Sequence, residues 1–209
     1  NSDYKTAVKI YGKLGDESKA KEMLAKEADD LSDESGRYSY AERARMYEKA
    51  GEESKAKEMW EIEVEKWERP RDFIGAYSKN EDAAEAYEKL GNEEGVKKVW
   101  EKQVKDAEYN NNYNLVAEAY QKLGDESKAK EMWAKEAKDW ELGTENTNQI
   151  SYSLAAKFYE KAEDYVKAKE LLIKLAHTEE KHGDYAEAIK AYEDIVLFLK
   201  RVNGKQGEM

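Results

Sequence analysis

The nine residues Gly-Asp-Glu-Ser-Lys-Ala-Lys-Glu-Met, from Gly15 to Met23, return unchanged from Gly124 to Met132. A near copy spans Gly51 to Met59, and a looser one begins at Gly91. A Tyr stands four residues before each Gly: Tyr11, Tyr47, Tyr87 and Tyr120. A fifth copy starts at Tyr159 with Glu163 in place of the Gly, and a sixth half-copy starts at Gly183. A motif that returns this way constrains the fold more than any single residue. The chain must stack one supersecondary unit on copies of itself, because one such unit cannot bury its apolar face alone.

The unit is a helical hairpin. Tyr4, Ala7, Val8, Ile10, Tyr11 and Leu14 recur at helical spacing, which predicts one amphipathic helix. Gly15 supplies a left-handed residue to end it, and Asp16 is suited to cap the next. Ala20, Met23, Leu24, Ala28 and Leu31 form the stripe of that second helix. A Gly-Asp connection leaves room only for an antiparallel pair. Later units repeat the scheme, with Ala or Val three residues before the Tyr, Ala or Val nine after it, and Trp or Leu thirteen after it. Intervals between the Tyr residues are 36, 40, 33 and 39, and the slack falls in loops near 32–37, 68–80, 108–112 and 142–149. Pro70 suits the first turn of an extra helix carrying Phe73, Ile74, Ala76 and Tyr77. The fifth hairpin's second helix should run to Lys181, with Tyr185–Lys200 as an eleventh, capping helix. We expect a single domain over 1–201 and a flexible polar tail over 202–209.

Composition enters as a check. The residues are 40% hydrophobic and 40% charged, with one Pro and no Cys among 209. Regular apolar spacing argues against disorder, and Ala, Glu, Lys, Leu and Met make the chain all-α. A net charge of -11 argues against nucleic-acid binding, where a basic surface provides most of the affinity. There is no thiolate, disulfide framework or Cys-based zinc site, and no run long enough for membrane insertion. A cytoplasmic location is the simplest reading.

Ala117, Tyr120, Gly124, Ala129 and Trp133, together with Gly183-Asp184-Tyr185-Ala186-Glu187-Ala188-Ile189-Lys190-Ala191-Tyr192, resemble the tetratricopeptide repeat (TPR), a 34-residue helix–turn–helix unit. The longer, uneven units are similar to the helical-hairpin stacks of soluble NSF attachment proteins. The resemblance implies a right-handed α-solenoid of five hairpins plus the capping helix, its concave face lined by first helices. It also implies which residues face that groove: those six and two before the Tyr, and one and two after it.

The groove candidates are then Lys5, Lys9, Arg45, Glu81, Glu85, Glu88, Asn114, Glu118 and Lys157. Charge runs from basic at Lys5 and Lys9 to acidic at Glu81, Glu85 and Glu88. The three acids share one helix face, Glu118 is expected beside them, and their repulsion suggests a partner with a basic segment. Some TPR proteins clamp a terminal carboxylate. The matching positions here hold Lys5, Lys9, Glu42, Ser78 and Asp82, where the acids would repel that ligand. Tyr and Trp recur at fixed repeat positions and read as core, with Tyr38 and Tyr77 outside the stripe. His177 and His182, five apart, do not share a helix face. No cofactor motif or nucleophile–base pair stands out, so the chain reads as a non-enzymatic scaffold that binds a peptide or helix of another protein. The alternatives are an adaptor for membrane-fusion machinery and a building block, natural or designed, that self-associates through its ends.

Overall fold

The computed structural model describes residues 2–31, 39–69, 79–144 and 150–207. The segment around Pro70, with Phe73, Ile74, Ala76, Tyr77 and Ser78, lies outside them, as does Tyr38. The described residues form eleven α-helices and no strand. They are α1 (Ser2–Lys13), α2 (Glu17–Asp30), α3 (Tyr40–Ala50), α4 (Glu53–Glu68), α5 (Asn80–Lys89), α6 (Glu93–Tyr109), α7 (Tyr113–Lys122), α8 (Glu126–Thr144), α9 (Ile150–Lys161), α10 (Tyr165–His182) and α11 (Tyr185–Gly207). The chain divides into two compact units, Asn1–Trp100 and Glu101–Met209.

The repeated motif builds its turn through one device. Gly15, Gly51, Gly91 and Gly124 are left-handed, with φ between 71° and 82°. Reversal there lets the next N–H reach back to the carbonyl of the repeated Tyr. Asp16 donates to Tyr11 at 3.0 Å, Glu52 to Tyr47 at 2.9 Å, Asn92 to Tyr87 at 2.8 Å and Asp125 to Tyr120 at 2.9 Å. The side chains of Asp16, Asn92 and Asp125 then cap the following helix by accepting N–H bonds from Lys19, Gly95 and Lys128. Glu163 takes the same left-handed backbone without being glycine (φ 63°), and Asp164 still donates to Tyr159 at 2.9 Å.

Two further turns use this device. Between α6 and α7, Asn111 is left-handed (φ 52°), Asn112 donates to the Ala107 carbonyl, and its side chain caps Leu115. The segment expected to be a loose loop near 108–112 is thus a tight turn. Gly183 likewise turns α10 into α11.

Small residues let the helices approach. In the first unit Ala28 of α2 meets Ala41, Ala44 and Tyr47 of α3, in one cluster with Ala56, Met59 and Trp60 of α4 and Ala86 of α5. In the second unit Val116, Ala117 and Ala119 of α7 share a core with Ala129, Met132 and Trp133 of α8. Ala137, Ala155, Ala156, Tyr159, Ala168 and Leu171 continue it toward Phe198 and Val202 of α11. Val202 is 7% exposed and the helix continues to Gly207. The expected boundary at 201 therefore falls inside a helix, because Val202 keeps the register of Ile195 and Phe198 on its buried side.

Successive hairpins are also latched by polar bonds. The Tyr47 hydroxyl donates to Asp29 at 2.5 Å, Tyr87 to Glu68 at 2.8 Å and Tyr159 to Glu141 at 2.9 Å. Each acid belongs to the second helix of the preceding hairpin. Lysines add to the first two, with Lys55 on Asp29 and Lys98 on Glu68. Hydrogen bonding from Tyr47 holds Asp29 below the ordinary carboxylate range. Burial, reinforced by Glu141, pushes the Tyr159 hydroxyl up to about 12. Sixteen residues after the Tyr, Glu63 and Glu136 reach the start of the first helix of their own hairpins. They accept from the N–H groups of Ala41 (3.0 Å) and Asn114 (3.3 Å), donors that helical bonding leaves without partners.

Candidate binding face

The nine candidate residues all lie on first helices, so the pairing of those side chains decides what a ligand would meet there. In the first unit α3 and α5 lie side by side. Arg45 of α3 reaches α5, where its guanidinium grips the Glu85 carboxylate through both Nε and Nη2 and donates to Asp82 Oδ1 at 2.6 Å. The Glu85 hydrogen bond, strengthened by Asp82, raises Arg45 well above its ordinary value. Below them Trp60 Nε1 donates to Glu48 Oε1 at 3.0 Å, and Lys89 of α5 closes on Glu48 Oε2 at 2.8 Å. The expected run from basic to acidic is here a set of pairs. Glu85 is held by Arg45, while Glu81 and Glu88 stand exposed on α5 with no ion-pair partner among the described residues. Lys5 and Lys9 are exposed on α1 in the same condition.

In the second unit Asn114 Nδ2 donates to Glu118 Oε1 at 3.1 Å on α7. Lys161 of α9 approaches both, at 3.4 Å from Asn114 Oδ1 and 3.9 Å from Glu118 Oε1. Arg201 of α11 makes a two-pronged bond to Glu160 of α9, at 3.2 and 3.0 Å. Lys157 lies exposed beside a cavity of about 450 Å³ between α9, α10 and α11, lined also by Glu179, Lys190 and Asp194. Its lining carries both signs of charge.

Of the nine candidates, then, Arg45 and Glu85 are joined, as are Asn114 and Glu118. Lys5, Lys9, Glu81, Glu88 and Lys157 present exposed side chains. The acids at Glu63 and Glu136 and the Tyr–acid latches were not anticipated. Their signal was present, since Glu27, Glu63, Gln103 and Glu136 all stand sixteen after a repeated Tyr. Among the described residues no three His, Asp or Glu side chains are placed to hold a metal ion. The His177 ring lies edge-on to Tyr192 at 6.5 Å. No described helix is long and apolar enough to cross a membrane.

No family model matches the chain, and no curated protein matches it. Among solved structures, nearly identical TPR-like repeats of a Podosopora anserina kinesin light chain are 17% identical, covering 88% of this chain and 96% of that one with a TM-score of 0.44. An overlap that loose carries no information about ligands. The repeated Tyr–Gly–Asp turns, the paired helices and their small-residue contacts are themselves TPR-like.

Proposed function

We propose that this chain is a non-enzymatic protein-interaction scaffold that holds an extended segment or helix of a partner along the faces of its first helices. One observation carries the reading. After core, caps and latches have taken their residues, long charged side chains remain exposed on first helices: Lys5 and Lys9 on α1, Glu81 and Glu88 on α5, and Lys157 on α9. Such groups discriminate partners by charge order and raise association rates. Glu81 and Glu88 suit a basic segment of the partner, and Lys5 and Lys9 an acidic one.

The test begins by recovering a partner from native lysate by pull-down and mass spectrometry, then mapping the bound segment. Its affinity is measured by calorimetry for the unaltered chain, for Lys5→Glu with Lys9→Glu, and for Glu81→Gln with Glu88→Gln. At least one pair should weaken binding tenfold or more, and affinity should fall with salt. Unchanged affinity in both pairs would remove the first-helix face from the site.

A further inference from the structure

The last described helix carries a row of exposed apolar residues, among them Ile189, Tyr192, Val196 and Leu197. α11 enters through Gly183-Asp184, the same turn that starts the second helix of a hairpin, so its residues can be counted in that register. Nine after the turn residue, Trp60, Trp100 and Trp133 are buried; the counterpart in α11 is Tyr192, which is exposed. Thirteen after it, Ala28, Val104, Ala137 and Ala176 are buried, whereas Val196 is 51% exposed. Ile189 and Leu197 are exposed apolar residues where the other units carry charged groups or His. A stripe of this kind on a helix surface marks an interaction site.

What covers such a face elsewhere in the chain is known. In the first unit Trp60, 2% exposed, shares its cluster with Ala86 of α5, and Leu90 at the end of that helix packs against that cluster. These stand one before and three after the repeated Tyr. In the second unit Phe158 of α9 and Ala162, just past its end, take the same two positions and pack on the cluster containing Trp133. The corresponding residues are Ile10 of α1 and Leu14, just past its end. Both are exposed, Leu14 at 73%.

Polar groups give the same pairing independently. Around Trp60, the indole N–H donates to Glu48 and Lys89 of the next first helix closes on the other oxygen. Around Tyr192, the hydroxyl donates to Glu180 at 3.2 Å. Glu180 occupies the place of Glu48, one residue after the position of the repeated Tyr, filled here by Glu179. The third member of the set, a Lys two after the Tyr of a following first helix, has its counterpart in α1 at Lys13, which is exposed and makes no ion pair among the described residues.

We infer that α11 of one copy receives α1 of a second copy. Ile10 and Leu14 then pack on Tyr192 and Val196, and Lys13 completes the Glu180 pair. The contact is heterologous, head to tail, and does not depend on the proposed partner-binding face.

Sedimentation velocity across a concentration series tests this, with Leu14→Asp and Val196→Asp each made alone. Both positions are exposed, so circular dichroism should show an unchanged fold. The unaltered chain should associate with rising concentration, and each variant should associate at least tenfold more weakly. An equimolar mixture of the two variants retains one intact face of each kind and should form a one-to-one pair and nothing larger. Lys13→Glu should weaken association, and adding Glu180→Lys should restore it. The inference is overturned if the unaltered chain remains monomeric to about 1 mM, which bounds any contact as negligible. It is also overturned if Leu14→Asp leaves association intact while Val196→Asp abolishes it, which would mean α11 pairing with α11. Failure of the mixture to pair would overturn it as well.

Discussion

Replacing Gly95 separates a reading of the structure from a reading of the repeats. Eight residues after the Tyr, four units carry lysine: Lys19, Lys55, Lys128 and Lys167. Each ammonium lies over its own Tyr ring, 4.9 to 5.5 Å from the centroid. The third unit has Gly95. By repeat averaging, Gly95→Lys or Gly95→Ala should help, since a helix-interior Gly is about 1 kcal/mol worse than Ala. The structure argues the opposite. A Cβ at 95 would lie 2.2 Å from Cδ1 of Tyr87 and 2.5 Å from two more ring atoms. That ring has nowhere to go. It is 4% exposed, its hydroxyl is bonded to Glu68, and Trp67 meets it edge-on at 6.1 Å. Overpacking costs about 1–3 kcal/mol. Displacing the ring also gives up a hydrogen bond of about 1 kcal/mol and an aromatic contact of about 0.5–1.5 kcal/mol. After the propensity gain, Gly95→Ala should destabilise by about 2 kcal/mol or more. Urea unfolding gives the total. Because stacked hairpins do not have to unfold as one cooperative unit, hydrogen exchange of the α5 and α6 amides should locate the loss there. Lys128→Ala is the control and should cost no more than about 1 kcal/mol. A Gly95→Ala protein as stable as the original would refute the argument.

Glu163→Gly should raise stability by up to about 1 kcal/mol, since it relieves a left-handed non-glycine residue and gives up only the exposed ion pair with Lys130; a lowered thermal midpoint would contradict this. Tyr159 titrates near 12 in the fold against 10 when unfolded, so the unfolded chain holds fewer protons between those values and stability falls as pH rises through that window. Tyr159→Phe should flatten this alkaline loss, read as the urea midpoint against pH. Glu85→Gln should destabilise by about 1 kcal/mol, because it loosens the two-pronged grip on a half-buried Arg45, while Glu81→Gln should stay within about 0.5 kcal/mol. Melting both variants decides between pairing and the repulsion expected from the sequence, which would have stabilised each.

The parts of the fold legible in advance were those the chain must solve repeatedly. Each hairpin closes through the same turn and each neighbour packs through the same small residues, so Tyr47, Gly51, Ala56 and Trp60 recur because one geometry recurs. Even the substitution at Glu163 left the turn recognisable, since Asp164 still caps. What escaped was one turn disguised by its residues. Asn110-Asn111-Asn112 reads as a polar loop, yet asparagine tolerates the left-handed backbone well enough to build the turn that glycine builds elsewhere.

The binding face was legible only as a set of positions. Repeat register placed Arg45, Glu85, Glu118 and Lys161 on first helices, but whether such charges are offered to a partner depends on distances between helices. Arg45 and Glu85 lie 40 residues apart in sequence, and nothing local distinguishes Glu85, which Arg45 grips, from Glu81 and Glu88, which stand alone. Register was also the information least exploited. Counted from Gly183, the chain places Glu179 where the Tyr belongs, Glu180 where Glu48 belongs and Tyr192 where Trp60 belongs. By that count the capping helix also stands in the register of a hairpin's second helix, with α10 in that of the first. The helix that closes the stack also turns Ile189, Val196 and Leu197 outward. Side chains at positions that other units bury against a neighbouring helix are exposed on α11, and that exposure is what makes its far side a candidate contact surface.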